Sequence, residues 1–194
     1  MSTIILLARH ARHAEIGRVL SGRSELALDV AGEAQAEQLG TLLAGLPLTA
    51  IWSSPRRRCR QTAVAVAAHH QLPVVARDEL DEIDFGRWAA QPFAQLNHDV
   101  DWQRWNVTRG SAATPAGETM TKVIDRAMTA IRSSAISGIE LFVTHCDVIR
   151  GVVARVVGLD LNRILSFDID CASLTTLHAD NGYLRLIALN ERRW

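Results

Sequence analysis

Lysine is nearly missing from this 194-residue chain: Lys122 is the only one among 21 basic residues, which leaves 20 arginines. Planar, bidentate donors suited to carboxylate and phosphate are therefore abundant, although a skewed genome composition yields the same bias. An excess of either charge is absent too, since 21 acidic residues balance the 21 basic ones. No global field would hold the chain on nucleic acid or an acidic membrane, so any basic function must be local. Cysteine is scarce: Cys59, Cys146 and Cys171 are odd in number, far apart and without a CxxC pair. That excludes a disulfide framework and a zinc ribbon, and fits a reducing cytoplasm. Long hydrophobic runs are lacking. The apolar segment Ile4 to Ala8 falls far short of the ~20 residues that span a bilayer, and it meets Arg9 and His10 rather than a small-residue cleavage site. Neither a signal peptide nor a membrane contact is expected. Internal repeats, low-complexity tracts and long linkers are also missing.

What is present describes a folded chain: 48% hydrophobic and 22% charged residues with mean hydropathy +0.05, at a length suited to one domain over residues 1–194. Thr3 to Ala8 reads as a buried strand. Asp29 then caps a helix whose apolar face is Ala36, Leu39, Leu42, Leu43 and Leu46. Thr49 to Ser53 is a second strand, and Ser54-Pro55 opens a helix over Arg56 to His70. Pro73 to Arg77 reads as a third strand. From about 78 to 117 the pattern turns irregular, with a short helix expected over Phe93 to His98, and the stretch reads as a lid-like excursion over the sheet. A helix from about Thr119 to Ala135, a strand Ile139 to Thr144 and a helix Asp147 to Val157 closed by Gly158 follow. Leu174 to His178 and Leu184 to Leu189 form a terminal hairpin about Asp180-Asn181-Gly182. Alternating strands and helices predict an α/β fold, a three-layer α/β/α sandwich with a mostly parallel sheet and an antiparallel strand at its edge.

In such a sheet, ligands bind outside the carboxyl ends of the strands. Three strand ends carry phosphate-compatible groups: Arg9-His10, Ser53-Ser54 with the run Arg56-Arg57-Arg58-Cys59-Arg60, and His145. Either histidine alone reads as an ordinary hydrogen-bonded strand-end group, but recurrence at equivalent positions argues for a site, and a helix N-terminus beside it favours an anion. Helical spacing lets only one or two of the four arginines face that site, and composition does not choose among them. Glu79, Asp81, Glu82 and Asp84 crowd one loop, any of which could donate a proton to a phosphate ester. A metal site from His10, His13, His145 and Cys146 lacks HxH, HExxH or paired-cysteine spacing, so no metal and no cofactor is expected.

Leu7-Ala8-Arg9-His10-Ala11, Gly22-Arg23-Ser24-Glu25-Leu26-Ala27-Leu28, Ser53-Ser54-Pro55 through Thr62-Ala63, Leu80-Asp81-Glu82 through Trp88, Pro115-Ala116-Gly117-Glu118 and Phe142-Val143-Thr144-His145 follow one another in order. Together they resemble the histidine phosphatase superfamily, the phosphoglycerate mutase-like branch 1, nearly end to end. The resemblance selects Arg58 from the arginine run and Glu82 from the acidic loop. It implies metal-independent hydrolysis of a small phosphorylated metabolite through a phosphohistidine on His10. Arg9, Arg58 and His145 would bind the phosphoryl group, Glu82 would protonate the leaving alkoxide, and His10, Glu82 and His145 would form the catalytic set. Trp102, Arg104, Trp105 and Arg109 fall where such proteins close over substrate, though tryptophans there equally serve the lid's own packing. The chain departs from the pattern at Ala11 and Cys146, which replace glycines after the histidines, and at Ala89-Ala90, which replace Glu-Gly. The segment between His10 and Gly22 is short and lacks the usual asparagine, with His13 nearby instead. Two rivals remain. One is a phospho-ligand binding protein with little turnover, and the other a mutase, whose usual longer insertions are missing from 194 residues. Nucleic-acid binding has no support, and a homodimer is left open.

Overall fold

The computed structural model describes residues 2–134 and 138–192. Its centre is a six-stranded sheet in the order β3-β2-β4-β1-β5-β6, formed by β1 (Ser2–Arg9), β2 (Leu48–Ser53), β3 (Val74–Ala76), β4 (Gly138–Thr144), β5 (Leu174–Asp180) and β6 (Tyr183–Glu191). β3, β2, β4 and β1 run parallel, and β5 pairs antiparallel with both β1 and β6. The antiparallel strand therefore lies one place inside the edge, and β6 forms the edge itself.

Alternation along β1 sends side chains to two separate cores. Ile5 and Leu7 join Phe142 and Leu177 beneath α5 (Met120–Ser134) and α6 (Cys146–Val157). Leu6 and Ala8 join Ile51, Leu141 and Val143 beneath α1 (Val30–Leu43) and α2 (Arg57–Ala67). Because both faces are covered, β1 and β4 read as nearly continuous apolar runs, and the three-layer α/β/α expectation holds.

Local signals set several boundaries. The Asp29 side chain accepts from Gly32 N and caps α1, while Gly158 ends α6 at φ 70°. Asn181 and Gly182 both take positive φ, as a two-residue hairpin turn demands. Other expectations were too generous: α1 stops at Leu43, short of the half-exposed Leu46, α2 stops at Ala67 before His69 and His70, and β3 keeps three residues. Ala135, expected as the last residue of the fifth helix, lies outside the described residues.

The excursion is more ordered than its sequence pattern. After the short α3 (Phe93–Leu96) comes α4 (Val100–Val107), capped by Asp99, whose carboxylate accepts from Asp101 N and Trp102 N. Trp102 and Trp105 share one helix face and pack on Phe85 and Trp88, with ring centroids 5.3 to 6.4 Å apart. Glycine is required where the acidic loop crosses the 115–118 turn. A Cβ on Gly86 would lie 1.9 Å from the Pro115 carbonyl oxygen, and one on Gly117 2.1 Å from that of Asp84.

Candidate active site

The register of the sheet builds the site. Arg9 lies opposite Thr144 in the β1–β4 pair, so His10 and His145 emerge side by side one residue later, held by His10 N donating to Thr144 O at 2.9 Å. Ser54, just past β2, is drawn level by donating its own N–H to Val143 O. The His10 and His145 rings meet edge-on with centroids 5.2 Å apart.

The hydrogen bonds fix both tautomers. His10 Nδ1 lies 2.9 Å from the Ala11 carbonyl, which can only accept, so Nδ1 carries the proton and Nε2 keeps its lone pair. At His145 the polarity is reversed: Arg58 Nη2 donates to Nδ1 at 3.1 Å, leaving Nε2–H to donate to Ser54 Oγ at 2.8 Å. Burial, reinforced by the positive field of Arg58, holds the basicity of both rings well below the ordinary imidazole value. Both are neutral at pH 7.

A cavity of about 400 Å³ opens over His10. Its lining combines Arg9, His10, His13, Arg58 and Glu82, the apolar Leu20, Phe85, Phe93 and Trp102, and the charged Arg109, Asp147, Arg150, Asp168 and Asp170. Of the arginine run, Arg58 alone is fully buried, anchored by donating to the carbonyls of Gly22 and Ser24. Arg57 and Arg60 face a separate groove along α1, and Arg56 forks onto Asp81 at 2.7 to 3.1 Å. Arg56 thereby occupies Asp81, and of the acidic loop only Glu82 stands in the cavity wall. Burial, then the nearby Asp147 carboxylate, pushes Glu82 up to about 8, so it is mostly protonated at pH 7.

The Glu82 loop is held from outside by Arg126, which no motif contains, and by Arg23 and Glu118, to which the motifs assign no role. Arg126 donates to the carbonyls of Glu79, Asp81 and Glu82, and Arg23 donates to that of Glu82. Glu118 collects Arg23, Arg126 and Asp84 N; burial opposes its ionisation, but the Arg126 and Asp84 bonds outweigh it and keep it below the ordinary carboxylate value. The bonds of Arg23 and Arg126 to the loop carbonyls join segments 44 to 59 residues apart, which no local pattern reveals.

The predicted site residues are not all brought together. Arg9, His10, Arg58, Glu82, Trp102 and Arg109 reach the cavity. His145 is fully buried, absent from the cavity wall, and lies against Arg58. Trp105 is core: Arg109 stacks 4.0 Å above its ring and pairs with Asp147 at 3.1 Å. Arg104 is exposed, pairs with Asp101, and with Trp105 borders a different hollow. Neither Trp105 nor Arg104 lines the cavity: Trp105 shares the inward face of α4 with Trp102 but lies in the core beneath Arg109, and Arg104 stands on the exposed side. At the departures, Ala11 has negative φ and its methyl packs with Leu28, Ala36 and Ala172 rather than into the cavity. Cys146 does line the cavity, as a thiol that burial pushes up to about 11.

The model of the histidine phosphatase superfamily (branch 1) matches residues 5–192. The chain belongs to that superfamily. This histidine phosphatase is 27% identical to phosphoserine phosphatase 1 of Hydrogenobacter thermophilus, over 96% of its own length and 91% of that protein's. It is 28% identical to the adenosylcobalamin/alpha-ribazole phosphatase of Escherichia coli, over 96% and 95%. Its fold matches a mycobacterial glucosyl-3-phosphoglycerate phosphatase with TM-score 0.89 at 21% identity, covering 99% of this chain and all of that one. Hydrolysis of phosphomonoesters of small metabolites is the activity class of the histidine phosphatase described here.

Proposed function

We propose that this histidine phosphatase works without metal through a phosphohistidine on His10, with Glu82 as proton donor. One observation carries the reading: a neutral imidazole, with its lone pair fixed on Nε2 by the Ala11 carbonyl, shares a cavity with a buried carboxyl and two guanidiniums. His10 Nε2 attacks phosphorus as the ester P–O bond breaks, and the Glu82 proton passes to the departing alkoxide. Arg9 and Arg58 hold the equatorial oxygens as charge spreads over them, and the Ala11 carbonyl steadies the phosphoimidazolium. The Glu82 carboxylate then takes a proton from the water that attacks phosphorus, which frees inorganic phosphate and restores the starting state. We assign His145 to holding Arg58 before substrate arrives and, by turning its Nε2–H from Ser54 Oγ, to donating to the phosphoryl group once His10, 5.2 Å away between ring centroids, carries it.

A cavity of about 400 Å³ suits a metabolite rather than a macromolecule. Trp102 and Arg109 border the leaving-group end, and three free thiols support a reducing cytoplasm. Among the described residues no helix is long and apolar enough to cross a membrane. The test is hydrolysis of p-nitrophenyl phosphate in EDTA by the wild type and by His10→Ala. Activity that EDTA leaves intact and His10→Ala abolishes is expected. Loss in EDTA, or turnover retained by the folded variant, would refute the mechanism.

A further inference from the structure

His13 sits three residues past His10, in the short segment before Gly22. The residue is 3% exposed and lines the cavity beside Arg9, His10 and Arg58, with its ring tilted 35° against His10 at a centroid distance of 5.3 Å. Its Nδ1 is buried with no hydrogen-bond partner. A second imidazole packed on the nucleophile serves no core, and with Nδ1 shut away from the cavity Nε2 is the ring nitrogen that a cavity ligand can reach. Burial and then the Arg58 cation push the ring down to about 4, so it is neutral and carries one proton. Phosphoryl oxygens only accept, so the tautomer that pairs with them places that proton on Nε2, the ring nitrogen left for the cavity.

Resting on the phosphatase reading above, we propose that His13 is a further phosphoryl ligand, its Nε2–H donating to an oxygen of the group that passes to His10. Two guanidiniums then hold the oxygens as charges, and His13 adds a directional donor on the flank opened by the short segment after His10. A donor aimed at the transferring group acts on every substrate alike, so its loss lowers kcat with little dependence on the leaving alcohol.

Orthovanadate, which mimics the transferring phosphoryl group, tests this without reference to any natural substrate. His13→Ala is expected to raise the vanadate inhibition constant about 10- to 100-fold, the loss of one hydrogen bond to a charged acceptor, and to lower kcat comparably for aryl and alkyl esters. His13→Gln, whose amide N–H extends about as far as Nε2–H, should recover most of both. In the wild type, the His13 Nε2 resonance should move when vanadate is added. An unchanged inhibition constant in folded His13→Ala, or a His13 resonance indifferent to vanadate in an active wild type, overturns the proposal. A wild type that neither hydrolyses esters nor binds vanadate would instead overturn the phosphatase reading.

Discussion

Glu82→Gln removes one proton and little else, because the amide keeps the shape of the buried carboxyl and its oxygen still accepts from Ile83 N, a bond now 3.0 Å long. Phosphorylation of His10 requires Glu82 protonated and His10 neutral. With Glu82 near 8, about nine-tenths of the enzyme is competent at pH 7 and about one-tenth at pH 9, so kcat/KM falls about tenfold per pH unit above 8. His10 stays neutral well below 6.5 and adds no acid limb near neutrality. The Gln variant should lose the alkaline limb and slow alkyl esters about 10²- to 10⁴-fold at pH 7, while the burst of phenolate from an aryl ester changes far less. Asp147→Asn removes a charge that opposes Glu82 ionisation, so the limb should move to lower pH. Stability carries the same signature. A carboxyl raised from 4.5 to about 8 on folding supports the fold fully below 4.5, and that support is lost progressively up to about 8, by at most about 5 kcal/mol. Glu82→Gln should therefore gain on the wild type in chemical denaturation as pH rises through this window. A variant that keeps the limb near 8, or loses aryl phosphorylation as much as alkyl, would refute the assignment and turn attention to Asp84 and Asp81.

Alanine at Arg58 should cut kcat/KM by two orders of magnitude or more, whereas alanine at Arg57 or Arg60, facing the outer groove, should be nearly silent in the same assay; the reverse pattern would mean that the helix is read in the wrong register. Ala11→Gly should leave kcat unchanged or slightly lower and cost about 1–2 kcal/mol in denaturant, through a lost buried methyl and a freer backbone, and a severalfold gain for all substrates would contradict the packing of that methyl away from the cavity. Ala90 and Ala116 stand at φ 62° and 61°, so glycine at either should raise stability by about 1 kcal/mol with kinetics unchanged, and a measured loss would count against left-handed strain there.

The sequence was legible wherever one local rule decided the outcome. Asp29 and Gly158 marked helix ends, the two-faced apolar runs of β1 and β4 marked inner strands, and the motif order placed His10, Arg58 and Glu82 at one rim. It was opaque where partners come from distant segments. The apolar face of α4 is two tryptophans in eight residues, too short for a periodicity to stand out, so nothing local separates Trp102, which reaches the cavity, from Trp105 on the same face, which is buried beneath Arg109, or from the exposed Arg104. Asp147 and Arg126 matter because of Glu82, which lies 65 and 44 positions before them in the chain. His145 was placed at the correct strand end, but only the fold puts Arg58 across its Nδ1.

The central claim is covalent catalysis at His10, and the Glu82→Gln enzyme tests it most directly, because an aryl ester can phosphorylate it but no carboxylate is left to activate water for release. Intact-mass and peptide analysis after rapid mixing with p-nitrophenyl phosphate should find one acid-labile, base-stable phosphoryl group per chain, on His10, matched by one equivalent of released phenolate. Phenolate release without a phosphorylated chain, or a phosphoryl group on any residue other than His10, would contradict it.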